Sequence, residues 1–400
     1  MDKSQLADIA IAITESGLAG RPESVLVAEL CGRAVAAGLP LARAAVIVDT
    51  LHPIYEGRVF RWQRDAGETT TVEYGRSDVG EALDRWRSST FYRLQASGDP
   101  FLHRRLTADT DREFSIFAEL REAGMTGYLA LVTPFASEGT IGEMECVYSS
   151  WVTDAPEGFA EAHLGALQRL VPFFALAVKS TSLARIAGTL VETYLGRDAG
   201  RRVLSGRIAR GVADQIEAVL WFSDLRGYTR ITDTADPTHI IPLLNDYAGA
   251  VISAIHEQGG DVLKLMGDGT LAIFTGEDRG GACRAALAAA GLAKRNVAAL
   301  NERRAVDGLP TTEIYLGLHL GDVFYGNIGS EARLDFTVVG PAVNEVSRIA
   351  ALCRSVEQPL LLSSAFAAAV GGDAGERLVS VGRYALRGVG RPQDLFTLDL

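Results

Sequence analysis

Two aspartates carry the chemistry that is easiest to read in this chain. Asp224 ends the apolar run "AVLWFSD" and precedes the turn "LRGYT", while Asp268 sits in "MGDGT" between the segments "DVLKL" and "LAIF". Apolar runs bounded by turn residues read as strands, and a Gly-Asp pair between them suits a tight hairpin. An aspartate in a turn often does no more than bond its own backbone. Two carboxylates delivered by neighbouring strands of one sheet can do more, because Mg²⁺ takes one or two carboxylates together with phosphate oxygens of a substrate. That is the layout of a two-metal phosphoryl-transfer site. Gly227 adds an anion-binding element, since a glycine turn at the start of a helix lets backbone amides approach a phosphate.

A second group lies further along. Asn344 and Arg348 stand four apart in the helical pattern "PAVNEVSRIAALC", so they share one helix face a turn apart. Taken alone, Asn344 reads as a cap of the helix start and Arg348 as a surface charge. Lys264 precedes Asp268 by four residues on the incoming strand, roughly 13 Å away at about 3.3 Å per residue, too far to be a direct partner of the cations.

The elements that must position these residues begin near 216. They are the strand "IEAVLWFSD", the helix "HIIPLLNDYAGAVISAIHEQ", the hairpin "DVLKLMGDGTLAIF", and the helix "GACRAALAAAGLAKRNVAALNE". The strands "TEIYLGLHLGDVFYGNIG" and "LDFTVVG" and the helix that carries Asn344 follow. The pattern is an α/β sandwich with hairpins, and no period marks a repeat architecture.

Four stretches in this order, "FSDLRGYTRITD", "GGDVLKLMGDGTLAIF", "GLHLGDVFYGNIGSEARLDFTVVGPAVNEVSRIA" and "GRYALRGVGRPQDLFTL", resemble the catalytic domain of class III nucleotidyl cyclases, over residues 213–400. The resemblance implies a ferredoxin-like βαββαβ core sheet flanked by helices. It implies an adenylate cyclase that converts ATP to 3′,5′-cyclic AMP and pyrophosphate with Mg²⁺ or Mn²⁺, two per active site. Asp224, Asp268 and the backbone carbonyl of Leu225 would hold the ions, one activating the ribose 3′-hydroxyl and the other gripping the β- and γ-phosphates. The turn Leu225, Arg226, Gly227, Tyr228 and Thr229 would receive the phosphates, and Arg387 aligns with the family's basic residue on the triphosphate. Asn344 would orient the ribose and Arg348 stabilise charge on the α-phosphate, a task suited to a guanidinium.

Lys264 and Thr337 would read the base. The family's adenylate cyclases carry a lysine where Lys264 stands and its guanylate cyclases an acidic residue, which favours adenine. Thr337 stands where animal adenylate cyclases have Asp and many bacterial ones have Thr or Ser. A hydroxyl both donates and accepts, so it discriminates bases less sharply. In the family, the carboxylates and phosphate turn come from one domain and the Lys, Thr, Asn and Arg from its partner. One copy of each motif therefore implies a head-to-tail homodimer with two equivalent sites.

Two other readings compete. One is a cyclase of GTP or a pyrimidine nucleotide; the other is a catalytically weak nucleotide-binding signalling module, which a missing Asp or Arg would announce, and none is missing. The "GGD" at 259–261 resembles the diguanylate cyclase signature, but no acidic residue follows it.

The first part of the chain reads differently. The helix pattern "PESVLVAELCGRAVAAGL" precedes the strands "RAAVIVDT", "RVFRWQR", "TTTVEYG", "YLALVTPF" and "EMECVYSSW", and a long helix opens after "DAPEGF". This α+β order resembles a GAF-type sensory domain over residues 1–180, regulated by an unknown small molecule or protein. Residues 181–212, with "GRDAGRRVLSGRIARG", read as a helical linker with solvated arginines. A length of 400 residues also favours two domains.

Composition narrows the classes. With 48% hydrophobic and 22% charged residues the chain is globular, and a net charge of −11 offers no general attraction to nucleic acid or anionic lipid. Cys31, Cys146, Cys283 and Cys353 form no C-x-x-C pair, so neither a zinc site nor a disulfide framework is expected, and a cytoplasmic setting fits. The start lacks a signal-peptide layout. The apolar stretches "HLGALQRLVPFFALAVKS" and "GGACRAALAAAGLAKRNVAAL" are interrupted by Arg or Lys short of the roughly 20 residues that span a bilayer, so no membrane segment is expected.

Overall fold

The computed structural model describes residues 1–66, 68–135, 141–142, 144–371 and 377–398. Glu143, where the expected strand "EMECVYSSW" begins, and residues 399–400 of the second expected domain lie outside them. The chain divides into two compact units, Met1–Leu190 and Val191–Leu400.

Among the described residues of the first unit, six antiparallel strands form one sheet. They are β1 (Arg43–Asp49), β2 (Gly57–Gln63), β3 (Thr70–Tyr74), β4 (Phe101–Arg105), β5 (Gly127–Pro134) and β6 (Cys146–Thr153), in the order β3-β2-β1-β6-β5-β4. On β1 the buried residues Ala44, Val46 and Val48 alternate with half-buried ones, the period of a pleated strand. Helices α1 (Lys3–Leu18), α2 (Glu23–Ala36) and α6 (Glu161–Leu195) pack Ile13, Leu30, Leu167 and Phe174 with Val46 and Trp151. Helices α3 (Gly80–Arg87), α4 (Thr90–Ser97) and α5 (Ser115–Glu122) lie between β3 and β5 in the chain. Phe91 and Phe117 from α4 and α5 form a second core with Tyr128.

Two expectations need correction here. By length and composition α6 is apolar enough to cross a membrane, so Arg169 does not break its apolar stretch as expected. Half of that stretch is buried inside the unit, where Leu164, Leu170 and Val178 form core. The expected linker also contains packed structure. Helix α7 (Arg197–Leu204) belongs to the second unit, with Ala199 buried beside Leu220 and Leu263. Gly196 permits this: its φ is 88°, and a Cβ there would meet the Val262 carbonyl oxygen at 2.4 Å.

The second unit is built around strands β7 (Ala213–Leu225), β8 (Asp261–Met266), β9 (Gly269–Phe274) and β10 (Ile314–Ser330), in the order β10-β7-β9-β8. With α9 (Ile240–Glu257) between β7 and β8, and α10 (Arg279–Val306) between β9 and β10, this is the expected βαββαβ arrangement. A short α8 (Tyr228–Thr234) follows β7. Strand β11 (Arg333–Val339) folds back on β10 and leads to α11 (Pro341–Val356). Then β12 (Leu360–Ser363), α12 (Ser364–Val370), β13 (Leu378–Tyr384) and β14 (Gln393–Leu398) extend the sheet on the β10 side. Trp221, Tyr247, Ala286 and Leu318 fill the core that α9 and α10 cover, while Leu220, Leu271 and Val346 fill the opposite one.

The seat of α11 on β10 is set by one missing side chain. A Cβ at Gly317 would meet the Ala350 amide nitrogen and the Val346 carbonyl oxygen, both at 2.8 Å, and those are backbone atoms that cannot rotate away. Gly317→Ala is therefore expected to push α11 from the sheet and cost about 1–3 kcal/mol, as overpacking of a core does. Urea unfolding followed by tryptophan fluorescence measures it, and an unchanged midpoint would refute this account of the contact.

Candidate active site

Strand β7 is buried at Ala218, Val219, Leu220 and Trp221, and its last turn of sequence brings Asp224 to the sheet's end. The β7–β9 ladder pairs Ser223 with Thr270, and β8 pairs Met266 with Gly269, leaving Gly267 and Asp268 as a two-residue loop. Gly267 has φ 66°, the left-handed first position that a type II′ hairpin turn requires. Gly269 keeps the strands close, for a Cβ there would lie 3.3 Å from the Ser223 carbonyl oxygen.

As a result Asp224 and Asp268 stand on the wall of one cleft, close enough for each carboxyl to act on the other. Burial, then the hydrogen bond and charge of Asp268, push Asp224 up to about 6, against a smaller lowering by a backbone hydrogen bond from Leu225. Two carboxyls this close cannot both ionise cheaply unless a proton or a cation lies between them. A cleft of about 200 Å³ opens beside them, lined also by Leu244 and Asn245 of α9. Among the described residues no group of three or more His, Cys, Asp or Glu could hold a metal. Two carboxylates offer oxygen donors only, which fits a hard divalent ion that completes its shell with substrate and water.

The turn expected to receive phosphate follows directly. Gly227 has φ 70° and precedes α8, so the amides of Tyr228 and Thr229 begin a helix and lack intrahelical acceptors. Arg226 is engaged elsewhere. Its amide donates to the Glu313 carbonyl at 2.8 Å, its guanidinium pairs with the Glu313 carboxylate at 2.6 Å, and it lies over the Tyr315 ring.

The remaining predicted residues form a second group. Lys264 is ion-paired with Asp335, which lies two residues before Thr337 on β11 and hence on the same face. Thr337 is paired with Gly326 of β10. Asn344 is exposed and Arg348 half-buried on α11, and Gly388 lies against Arg348, whose guanidinium would be 3.3 Å from a Cβ there. The exposed Arg387 adjoins that glycine. Among the described residues, no hydrogen bond or ion pair links this group to Asp224 or Asp268.

Two residues of this arrangement were not singled out from sequence. Asp335 could have been found from strand alternation with Thr337. Glu345 anchors α11: it accepts from Gln393 Nε2 at 2.7 Å and lies 3.5 Å from Nε2 of buried His319. Burial lowers the His319 pKa and Glu345 opposes the shift.

Residues 212–397 match the adenylate and guanylate cyclase catalytic domain family, and this part of the chain is a class III nucleotidyl cyclase catalytic domain. The chain is similar to an adenylate cyclase of Anabaena cylindrica, 35% identical over 157 residues, which are 38% of this chain and 30% of that protein. It is also 33% identical, over 183 residues, to an uncharacterized protein of Mycobacterium tuberculosis, covering 44% of this chain and 32% of the other. The similarity thus spans about a third of the length of these relatives. A crystal structure of the guanylyl cyclase Cya2 is 27% identical, covers 46% of this chain and 93% of its own, and superposes with a TM-score of 0.42.

The carboxyl pair has a pH signature. Asp224 rises from an ordinary 3.8 to about 6 on folding, so the folded chain binds more protons between those values. The stability that protonated Asp224 contributes to the metal-free protein is therefore greatest below about pH 4 and is lost as pH rises through about 6. The difference in urea midpoint between wild type and Asp224→Asn across this range is expected to show that slope, and Mn²⁺ to remove it. A difference that is flat with pH would contradict the raised Asp224 pKa.

Proposed function

We propose that the chain is an adenylate cyclase, forming 3′,5′-cyclic AMP and pyrophosphate from ATP in a site shared between two copies of the catalytic unit. The observation that carries the reading is the closeness of Asp224 to Asp268 beside a glycine turn. Two divalent ions, Mg²⁺ or Mn²⁺, held there with the Leu225 carbonyl would supply Lewis acidity to the sugar hydroxyl and the triphosphate. The Tyr228 and Thr229 amides receive the outer phosphates. Arg387 adds charge to the triphosphate, Asn344 holds the ribose, and Arg348 faces the α-phosphate as negative charge builds there.

Adenine is supported by Lys264, whose ammonium donates to an unprotonated ring nitrogen, with Asp335 and Thr337 beside it to accept from an amino group. A shared site is supported by the separation of the two groups within one chain. The carboxylates and turn of one copy would meet Lys264, Thr337, Asn344 and Arg348 of a second, head to tail. The amino-terminal unit is read as a GAF-like sensory domain, supported by its antiparallel sheet with helices and by its position in the chain, and it regulates the site in response to a small molecule or protein.

Two experiments decide this. Asp224→Ala and Arg348→Ala chains are each expected to lose at least about a hundredfold in kcat. Mixed, they should recover part of the activity, because one of the two sites in a mixed dimer is intact. No recovery despite subunit exchange would defeat the shared site. Mass spectrometry of products from the four ribonucleotides with Mn²⁺ is expected to show cyclic AMP as the main product, and a dominant cyclic GMP or pyrimidine product would overturn the adenine reading.

A further inference from the structure

A second cavity, of about 540 Å³, lies between α10 and the strands β10, β12 and β14. That volume is within the roughly 300–1,000 Å³ of small-molecule sites. Leu287, Ala290, Ile314, Leu316 and Leu360 make its wall largely apolar. The helix side is one stripe, since Arg284, Leu287, Ala288, Gly291, Lys294 and Arg295 recur at spacings of three and four. The middle of the stripe is apolar or small and its ends are cationic.

Charge at the rim is available. Arg284 is held by Asp278 at 3.0 Å, but Lys294 and Arg295 are exposed and have no ion-pair partner among the described residues. Arg377, also exposed, adds a cation from the sheet side. These charges gather on a chain whose net charge is −11, beside an apolar cavity that a cation alone would not favour. Small residues keep the space open. A Cβ at Gly291 would meet only the Arg295 guanidinium, at 3.5 Å, an ordinary contact, although glycine inside a helix weakens it.

The cavity also adjoins the metal cleft. Ile314 lines both, and it is the register partner of Leu225, the neighbour of Asp224. We propose that this cavity binds a soluble single-chain carboxylate amphiphile, its head on Lys294 and Arg295 and its chain along Leu287 and Leu316, and that occupancy is felt at the metal cleft through Ile314. The binding half stands without the cyclase reading; the effector half rests on the assignment of Asp224 and Asp268 as metal ligands.

Calorimetric titration of the full chain with decanoate, below its micelle concentration, tests the site. Saturable binding near one per chain is expected, weakened about tenfold or more in the Lys294→Glu/Arg295→Glu double variant. Gly291→Leu, which fills the cavity without a backbone clash, is expected to abolish binding with circular dichroism and urea midpoint retained. Equal affinity for decyltrimethylammonium, or unchanged decanoate binding in Gly291→Leu, would overturn the site. Sedimentation with phosphatidylglycerol vesicles by a chain that ignores free decanoate would overturn it too, by making the rim a membrane surface. For the effector half, Mn²⁺ binding followed by electron paramagnetic resonance needs no turnover, and decanoate is expected to shift its midpoint several-fold. Identical Mn²⁺ curves with decanoate bound would remove the effector role and leave the cavity site standing.

Discussion

Two acidic side chains held close to one another are the constraint on which the catalytic unit turns. The fold spends a buried strand, a tight hairpin and a glycine at 269 on bringing Asp224 and Asp268 close together, although like charges at that distance repel. A purely structural sheet has no use for such an arrangement, since hydrophobic residues at its end would stabilise it better. The tension resolves when positive charge arrives, whether as a proton or as a divalent ion. The electrostatics of such a pair favour the approach of positive charge.

The rest of the unit serves to fix where other groups stand relative to that pair. Helix α11 sits close on β10 because Gly317 has no side chain, and Glu345 ties it to Gln393 and His319. Such anchoring matters because reactive geometry tolerates displacements of only about 1 Å. Asn344 and Arg348 extend from a helix seated in this way, and the loop at Gly388 lies against the arginine. A rigid helix, not a loop, carries the two groups proposed to act on the sugar and the α-phosphate.

Much of this site was legible in the sequence because its signals are local. A carboxylate at the end of an apolar run, a Gly-Asp pair between two strands, and an Asn and Arg one helical turn apart need only short-range rules to be placed. The βαββαβ order was legible for the same reason, from alternating long helical and strand patterns. What escaped depends on contacts between distant segments. Asp335 gains its meaning only when β11 lies beside Lys264, and Glu345 only when α11 meets β14 and His319. The packing of α7 was hidden by its glycines and arginines, which read as a solvated helical connection. Yet Gly200 is small for a packing reason, since a Cβ there would lie 2.9 Å from Glu192 Cα. In the first unit, β4 and helices α1, α3, α4 and α5 are short or lack strong periodicity, and tertiary packing decides them.

The Lys264–Asp335 ion pair alters what recognition at that position can mean. The lysine already has a satisfied anionic neighbour, so a base bound there as proposed would have to trade places with it or share it. The free energy available is then the difference between two bonds and not the worth of one. Selectivity arising from such an exchange would be modest in affinity but sensitive to the directionality of hydrogen bonds, because a ring offering the wrong edge would leave the original couple undisturbed.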